Sequence, residues 1–501
     1  MLGMASSLHF AGGIDALVGA GLPVFHFGLE GFVGLALYVA AIAFFLLALW
    51  KPQLGIYFLI PLLPMQTIRY RLHEFPLGGR LIDLMLLSVI IGLALNGRLR
   101  EIWETPLRNA LIVLTIFYTI SYFGGSLYIG ASLIPSLDDP RFSDFKNYLE
   151  MMWMTTVIIA AISNRRRMAL LFLFMAFSTM AVNKSFYNNM SDRDMSHFND
   201  DARESGVLGY AGENGLGAYE AQMSVFFLGL LPILKKRWQK LGILLVIGLS
   251  VYCLLFSFSR GAYLGLAAGM LFLGFTRQRK LLLLMLLVAI GWETVVPNAV
   301  RERIGMTYQP GDFAQQGRFD DSAEERLTLW DDALETERSR PVTGTGFFTY
   351  SIMHSKSTYH DTHNYYMKTL VETGIIGMLL FVWFMGKMFR FGYSLRREAS
   401  DPFLSAVGHG FAAMIVCATV VNFFGDRWTY IQINGFLWAL LAMVTRGRMM
   451  VAEETEAIEA SSQMALATAG GQEMTLGMND YEDLMNADGG ELPTEYGGGS
   501  L

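Results

Sequence analysis

Three side chains that could together handle a phosphorylated sugar lie far apart in the sequence: Arg260, Arg326 and His363. A guanidinium group can bind phosphate oxygens in bidentate fashion, so two arginines suit a diphosphate. An imidazole, with an ordinary pKa of about 6.5, suits removal of a proton from a hydroxyl group at neutral pH. If the three converge, the arginines would stabilise charge on a departing diphosphate while the histidine activates the attacking hydroxyl. That chemistry requires no metal ion or other cofactor.

Each of these residues also has a simpler interpretation. Arg260 stands between two apolar runs without a proper loop, where a guanidinium could act as an interfacial anchor. Arg326 could pair with Glu325 or Asp331 on its own segment. His363 could be part of a polar helix cap at the point where the chain enters an apolar run. Both kinds of interpretation stay open on these residues alone.

Further candidate residues stand near the ends of apolar runs. Asn364 follows the histidine directly. Glu213 and Asn214 stand at the start of another run, where they could cap a helix or contact a sugar. Glu220, inside that run, is an ionisable group in lipid and hence a functional candidate. The charges of loop 186–215 are interleaved in sign rather than gathered into an acidic array, so we expect no metal site.

The elements that must position these residues are membrane helices. Of the 501 residues, 53% are hydrophobic and only 16% are charged, whereas a soluble protein carries closer to a quarter charged residues. A helix needs about 20 mostly apolar residues to cross a hydrocarbon core of roughly 30 Å. The sequence therefore predicts an all-α, polytopic membrane bundle of about 12–14 spans. The candidate runs are 31–50, 52–66, 80–97, 109–130, 148–163, 168–185, 216–234, 241–258, 261–276, 281–296, 364–389, 403–424 and 430–446.

The remaining segments divide the chain. Residues 1–30 are mildly apolar and could lie on the membrane surface. Ten spans fall in 31–296 and the closing spans in 364–446, separated by one long loop, 297–363. The last segment, 447–501, holds eleven acidic residues and a single basic one, is rich in glycine, and is predicted to be a disordered tail.

Basic residues predict the orientation, because short cytoplasmic loops are enriched in Lys and Arg. The basic clusters fall on every second loop, which places the tail in the cytoplasm and the long loop, with His363, at the periplasmic face. One outer loop, 67–80, fits less well because it carries Arg69, Arg71 and Arg80. The clusters are Lys51 and residues 96–100, 164–167, 235–240, 277–280, 387–397 and 446–448.

The long loop is predicted to be partly helical. In 322–338 the sequence SAEERLTLWDDALETER begins with a capping box, formed by Ser322 and Glu325. Arg326 shares the apolar stripe of this helix and should point toward the protein rather than into bulk water. The other members of that stripe are Leu329, Trp330, Ala333 and Leu334.

Four stretches together resemble the superfamily of O-antigen ligases and O-antigen polymerases. They are SRGAYLGL (259–266), the R-x-x-x-W pattern of Arg326 and Trp330, P-x-x-G-x-G-F (341–347), and HNYYMKTLVETGIIGMLL (363–380). The topology is also similar: many spans, one long outer loop late in the chain, and a few closing spans. The resemblance covers roughly residues 200–446.

The resemblance implies a metal-independent, inverting glycosyl transfer from an undecaprenyl-diphosphate-linked glycan at the periplasmic face of the bacterial inner membrane. By motif, Arg260 and Arg326 would bind the donor diphosphate, and His363 would be the base or would position the acceptor. Trp330 belongs to the same pattern as a candidate substrate contact. His360 has no counterpart in it, and would orient His363 or do nothing. The implied partners are the bilayer, the donor, and an acceptor glycan or lipid A core; we expect no nucleic-acid partner.

Several functions remain open within and beyond this resemblance. A ligase, a polysaccharide polymerase and a protein O-oligosaccharyltransferase share the chemistry and differ in the acceptor. The alternative from another class is a transporter or flippase for a lipid-linked glycan, which should place ionisable groups near the bilayer midplane, often in internal repeats. Glu220 is the candidate charge that fits such a position.

Overall fold

The computed structural model describes residues 29–136, 139–190, 193–309, 318–319, 321–353 and 362–487. Throughout these ranges the chain is helical, apart from its connections and one two-residue antiparallel ladder, in which Tyr308 pairs with Phe319 and Gln309 with Arg318. The predicted all-α, polytopic fold class is confirmed. The helices are α1 (Leu29–Trp50), α2 (Pro52–Leu62), α3 (Gln66–Tyr70), α4 (Leu81–Leu95), α5 (Arg108–Tyr128), α6 (Pro140–Ala161), α7 (Arg165–Met190), α8 (Gly212–Leu230), α9 (Arg237–Phe256), α10 (Arg260–Thr276), α11 (Arg279–Ile290), α12 (Trp292–Val295), α13 (Asn298–Gly305), α14 (Asp321–Glu337), α15 (Tyr365–Glu398), α16 (Pro402–Val421) and α17 (Ile431–Ala487).

Nine helices of the described part are long and apolar enough to cross a membrane. That number is below the predicted 12–14, because α2, α10 and α11 have 11, 17 and 12 residues. In addition, α6 carries four charged side chains: Arg141, Asp144, Lys146 and Glu150. All four of these helices nevertheless coincide with predicted apolar runs.

Helices α8 and α16 form the centre of the bundle. In each, 83% of the apolar window is buried, compared with 17% in α1. The two approach closely where Gly229 of α8 faces Gly410 of α16, since a Cβ on either residue would meet the backbone of the other helix. Small residues at contacts are a common means of packing membrane helices, because lipid supplies no hydrophobic force between them.

Hydrogen bonds tie several connections together at one end of the bundle. Gln66 Oε1, after α2, accepts from Gln432 Nε2 at the start of α17 at 2.6 Å. Arg141, at the start of α6, donates to the backbone oxygen of Phe347, after α14, at 2.9 Å. We call the end of the bundle at which these connections meet the loop end. It includes the starts of α4, α6, α8, α10, α15 and α17.

The long connection between α11 and α15 contains α12, α13, the short ladder and α14 in the described residues. The helix predicted over 322–338 is present as α14. On α13, Ala299 and Val300 are buried against Phe258, which precedes α10. The connection is therefore packed onto the loop end rather than extended into solvent.

The two chain termini differ in what the structure describes. The predicted interfacial segment 1–30 lies almost wholly outside the described residues, which begin with α1 at Leu29. The predicted disordered tail is instead helical as far as Ala487, because α17 continues past the last apolar run. The residues it adds are rich in Ala, Glu and Met, which are strong helix formers. Residues 448–501 form a separate compact unit, of which 488–501 lie outside the described part.

Candidate active site

Helix α14 carries Arg326 and Trp330 at its contact with the bundle. Leu329 and Ala333, on the predicted apolar stripe, are fully buried. Trp330 Nε1 donates to the backbone oxygen of Thr362 at 3.0 Å, which joins α14 to the segment just before α15. Arg326, one turn earlier, is half-buried and its Nε atom is shielded from solvent.

His363 lies between two hydrogen-bonded neighbours at the start of α15. Asn364 caps that helix, because its Oδ1 accepts from the N–H groups of Tyr366 at 2.9 Å and Met367 at 3.3 Å. Thr362 Oγ1 donates to the backbone oxygen of Asn364 at 2.7 Å. His363 itself has a φ of +48° and is half-buried. Asn364 therefore has the role of a cap, and this cap fixes the backbone that carries His363.

Arg260 begins α10 after a short break that follows α9. Its Nη1 donates to Thr307 Oγ1 at 2.9 Å, which ties the start of α10 to the residues after α13. The break contains Phe258, with a φ of +54°. The next residue after the arginine, Gly261, lies against the ring of Phe424 with no room for a Cβ.

A series of ring contacts joins the surroundings of all three predicted residues. The ring centroids of Trp330 and Phe423 are 5.5 Å apart, as are those of Phe423 and Phe424. Phe424 packs against Gly261, the residue after Arg260, and Trp330 donates a hydrogen bond to Thr362, the residue before His363. The neighbourhoods of the two arginines and the histidine therefore meet at the loop end, although the residues are distant in sequence.

Backbone strain is concentrated at the same end. In the described part of the chain, four residues other than glycine have a positive φ: Leu77, Phe258, Phe348 and His363. Left-handed backbone costs a non-glycine residue on the order of 1–2 kcal/mol. Residues held in such conformations cluster at functional sites, where the surrounding structure imposes them.

The P-x-x-G-x-G-F motif binds along α15 at a break in that helix. Gly374 interrupts α15 with a φ of +63°. The backbone oxygens in the helical turn before it therefore face the motif. The oxygen of Val371 accepts from the N–H of Thr345 at 2.9 Å, and that of Glu372 accepts from the N–H of Gly346 at 2.7 Å. The motif and the E-x-G part of the α15 sequence are thus one structural unit.

The Glu372 side chain completes this unit. Its carboxyl oxygens accept from the N–H groups of Phe348 and Tyr350, both at 3.1 Å, and all three residues are buried. Glu372 therefore positions the residues that follow the motif.

Arg141 holds the same segment from the opposite side. Its Nη2 donates to the backbone oxygens of Phe347 at 2.9 Å and Tyr122 at 2.6 Å, and its Nη1 donates to Ser126 Oγ at 2.7 Å. The guanidinium also lies over the Tyr122 ring. Burial lowers the pKa of Arg141, and nearby Tyr122 opposes that shift. All three nitrogens of this guanidinium donate to backbone or hydroxyl oxygens of the described residues.

A polar cavity of about 780 Å³ opens beside these elements. Pockets that bind small molecules have volumes of about 300–1,000 Å³. The lining comes from 66–83, 142–150 and 426–432, together with Tyr210, Phe348, Ser351 and Lys368. None of the predicted residues Arg260, Arg326 and His363 is among the lining residues.

Ion pairs cross this cavity. Lys146 Nζ lies 2.6 Å from Asp83 Oδ1 and 3.5 Å from Glu150 Oε2. Lys368, on α15, lies 2.8 Å from Asp426 Oδ2 in the turn before α17. Three of the four charged residues of α6, Asp144, Lys146 and Glu150, therefore face a polar space shared by several elements.

The other predicted residues are spread over several environments. Asn214 Oδ1 accepts from Arg203 Nη2 at 3.0 Å, and Glu213 is half-buried in the first turn of α8. Glu220 is fully buried, and the Asn183 amide lies 2.9 Å from its Oε1 when the amide nitrogen faces the carboxyl group. His360 lies outside the described residues. No group of three or more His, Cys, Asp or Glu side chains in the described ranges is arranged to hold a metal ion.

The cavity residues were not predicted as a site, although the sequence contains a signal for them. Loop 67–80 breaks the charge pattern with three arginines on the predicted outer side, and two of these, Arg69 and Arg80, line the cavity. Lys368 lies within the HNYYMKTL stretch, but Asp426 stands in a short turn with no motif around it.

Residues 243–382 match the family model described as O-antigen ligase. This match, over somewhat more than a quarter of the chain, supports an assignment to the O-antigen ligase superfamily. The matched segment contains Arg260, Arg326, Trp330 and His363, together with the P-x-x-G-x-G-F motif. No curated protein matches the chain. Members of this family are membrane glycosyltransferases or ligases, which supports an enzyme role, and the apolar helices support an integral membrane protein.

Proposed function

We propose that this O-antigen ligase-like protein transfers a glycan from undecaprenyl diphosphate to an acceptor hydroxyl at the periplasmic face of the bacterial inner membrane, with its tail in the cytoplasm. The series of contacts from Trp330 through Phe423 to Phe424 carries the proposal, because it gathers the surroundings of Arg260, Arg326 and His363 at the loop end.

In the proposed reaction, His363 takes the proton of the acceptor hydroxyl. The acceptor oxygen then attacks the anomeric carbon of the donor sugar from the face opposite the diphosphate, which inverts the configuration. The bond between that carbon and the diphosphate oxygen breaks, and undecaprenyl diphosphate leaves with the bonding pair. Arg260 and Arg326 stabilise the charge that develops on it.

The acceptor decides whether the protein is a ligase, a polysaccharide polymerase for O-antigen or exopolysaccharide, or a protein O-oligosaccharyltransferase. We favour ligation or polymerisation, in which the acceptor is a glycan or lipid A core. Glu220, which suggested a transporter or flippase, is buried beside Asn183 and the α8 core, which favours a structural role for it.

The transfer test uses purified protein in nanodiscs with lipid-linked glycan and acceptor. We expect His363→Ala to slow transfer by about 10²–10⁴-fold, as for loss of a general base. Arg260→Ala and Arg326→Ala should each slow it by about 10²–10³-fold. Arg100→Ala is the matched control, because Arg100 is exposed and pairs with Glu104 after α4. Full transfer by all three variants, at normal membrane abundance, would contradict the assignment.

The orientation has its own test. Both native cysteines, Cys253 and Cys417, are buried, so introduced cysteines can be labelled selectively. Ser132→Cys, exposed after α5, should react with a membrane-impermeant maleimide in cells with a permeabilised outer membrane, whereas exposed Ser461→Cys should not. The reverse pattern would place the loop end in the cytoplasm.

A further inference from the structure

Arg69 differs from the other basic residues that line the cavity. Lys146 and Lys368 each have a carboxylate within 3 Å, and Arg80 lies 3.7 Å from Asp83. Arg69 has no carboxylate partner among the described residues.

The surroundings of Arg69 leave part of its guanidinium unmatched. Its Nη2 donates to the backbone oxygen of Leu63 at 2.9 Å, while its Nε is buried and has no hydrogen-bond partner among the described residues. Burial lowers the pKa of Arg69 to about 10, a value at which it is still charged at neutral pH. A buried cation normally has a partner of opposite charge, because removal of the charge from water is costly.

The wall around Arg69 is well fixed. Gln66, one turn before it on α3, accepts from the Gln432 side chain at 2.6 Å and from the N–H of Tyr210 at 2.9 Å. Three separate segments therefore meet at one amide. The rings of Tyr70 and His73 are stacked at the same wall, and Tyr70 and Tyr210 expose more than half of their surface. Exposed aromatic faces beside paired charges suit a sugar, which has both apolar C–H faces and many hydroxyl groups.

The cavity also adjoins the proposed transfer site. Lys368 lies on the first turns of α15, five residues after His363, and Asp426 lies two residues after Phe424. Of the lining residues, Phe348, Ser351 and Lys368 fall within the matched family segment, 243–382, and the others fall outside it. A site that selects the acceptor has to draw on residues beyond the shared transfer chemistry, and this cavity does so.

We propose that the cavity binds the acceptor glycan, and that Arg69 binds an acidic substituent of that glycan, a carboxylate or a phosphate. The proposal rests on the proposed glycosyl transfer, for which it supplies the substrate class. The anion would approach Nη1, which has no hydrogen bond in the described part, because Nε is shielded from the cavity and Nη2 is bonded to Leu63. Asp144, a cavity carboxylate without an ion pair in the described part, would accept from sugar hydroxyls.

The test measures binding rather than turnover. The probe is an oligosaccharide released from the surface polysaccharide of the producing cell, in its native form and with its acidic groups removed by carboxyl reduction or dephosphorylation. Binding to the full chain in nanodiscs is measured for the wild type, Arg69→Gln, Arg69→Lys and the control Arg71→Gln. Arg71 stands on the same loop and is not among the lining residues.

We expect the wild type and Arg71→Gln to bind the native oligosaccharide about 10-fold or more tightly than the neutralised one, as for loss of a charged hydrogen bond. Arg69→Gln should bind both forms equally and weakly, and Arg69→Lys should lie between. The reduced and the dephosphorylated probes identify which acidic group is bound.

Several results would overturn the proposal: a polysaccharide without acidic groups, equal binding of both forms by the wild type, or unchanged binding by Arg69→Gln. If Arg69→Gln does not fold, the binding of the native and the neutralised probe to the wild type still shows whether the acidic group contributes to binding. His363→Ala separates this proposal from the transfer itself, since it should bind the native probe normally and fail only to transfer.

Discussion

Replacement of Glu372 by alanine should release the residues after the P-x-x-G-x-G-F motif from α15. The Glu372 carboxyl group accepts two buried N–H groups, those of Phe348 and Tyr350, each at 3.1 Å. A buried donor that loses its partner costs about 1–3 kcal/mol, so Glu372→Ala should lower the free energy of unfolding by about 2–6 kcal/mol. Glu372→Gln keeps one acceptor oxygen and should lose about half as much, on the order of 1–3 kcal/mol.

The assay is unfolding in mixed micelles, followed by tryptophan fluorescence, together with glycan transfer. Glu104→Gln is the control, because Glu104 is exposed and pairs only with Arg100 in the described residues; such a pair contributes about 0–1 kcal/mol. We expect stability to decrease from the wild type and Glu104→Gln to Glu372→Gln and then Glu372→Ala, with transfer falling in the same order. Equal stability of Glu372→Ala and the wild type would refute the claim that this carboxyl group holds the motif segment.

Three further predictions use the same contacts. Arg141→Lys should lower the free energy of unfolding by about 1–3 kcal/mol in the same assay, since an ammonium group cannot reach three separately placed acceptors. Gly374→Ala should destabilise by about 1–3 kcal/mol or more, because a side chain is strained at its positive φ and would meet the backbone of Val342. The N–H of Phe198 and a neighbouring histidine lower the pKa of Glu302, so this contact is present above the ordinary carboxyl range and lost as pH falls through the lowered pKa. The protection factor of the Phe198 N–H against hydrogen exchange should fall in that acid window, and in Glu302→Ala, which removes the acceptor, it should be low at neutral pH already.

Much of the fold follows from local patterns. Apolar runs of sufficient length predicted thirteen helices at their observed places, because a backbone in lipid must satisfy its hydrogen bonds within each segment. The 3-to-4 spacing of Leu329 and Ala333 predicted α14 and a buried face, which the structure shows. Two details were wrong: α14 begins at Asp321, so Ser322 lies inside the helix rather than at its cap, and Leu334 of the predicted stripe is exposed.

The parts that were not predicted depend on contacts between distant segments. The role of Glu372 depends on the break at Gly374, which turns backbone oxygens of α15 toward a motif about 30 residues earlier. The helical continuation of α17 was not predicted, because an acidic, glycine-rich composition indicates disorder, whereas Ala, Glu and Met also favour helix. Composition alone does not separate these two outcomes.

The arginines of loop 67–80 show how an exception to a membrane rule can locate a site. Lys and Arg are concentrated in cytoplasmic loops, so a basic residue on the other side calls for a specific reason. For two of the three arginines the structure supplies one, since Arg69 and Arg80 line the polar cavity at the loop end. Arg80 is matched by Asp83, but Arg69 is not matched by any described carboxylate. A cation that departs from the predicted orientation, lines a cavity and lacks a counterion among the described residues is best explained by a counterion that arrives with the substrate.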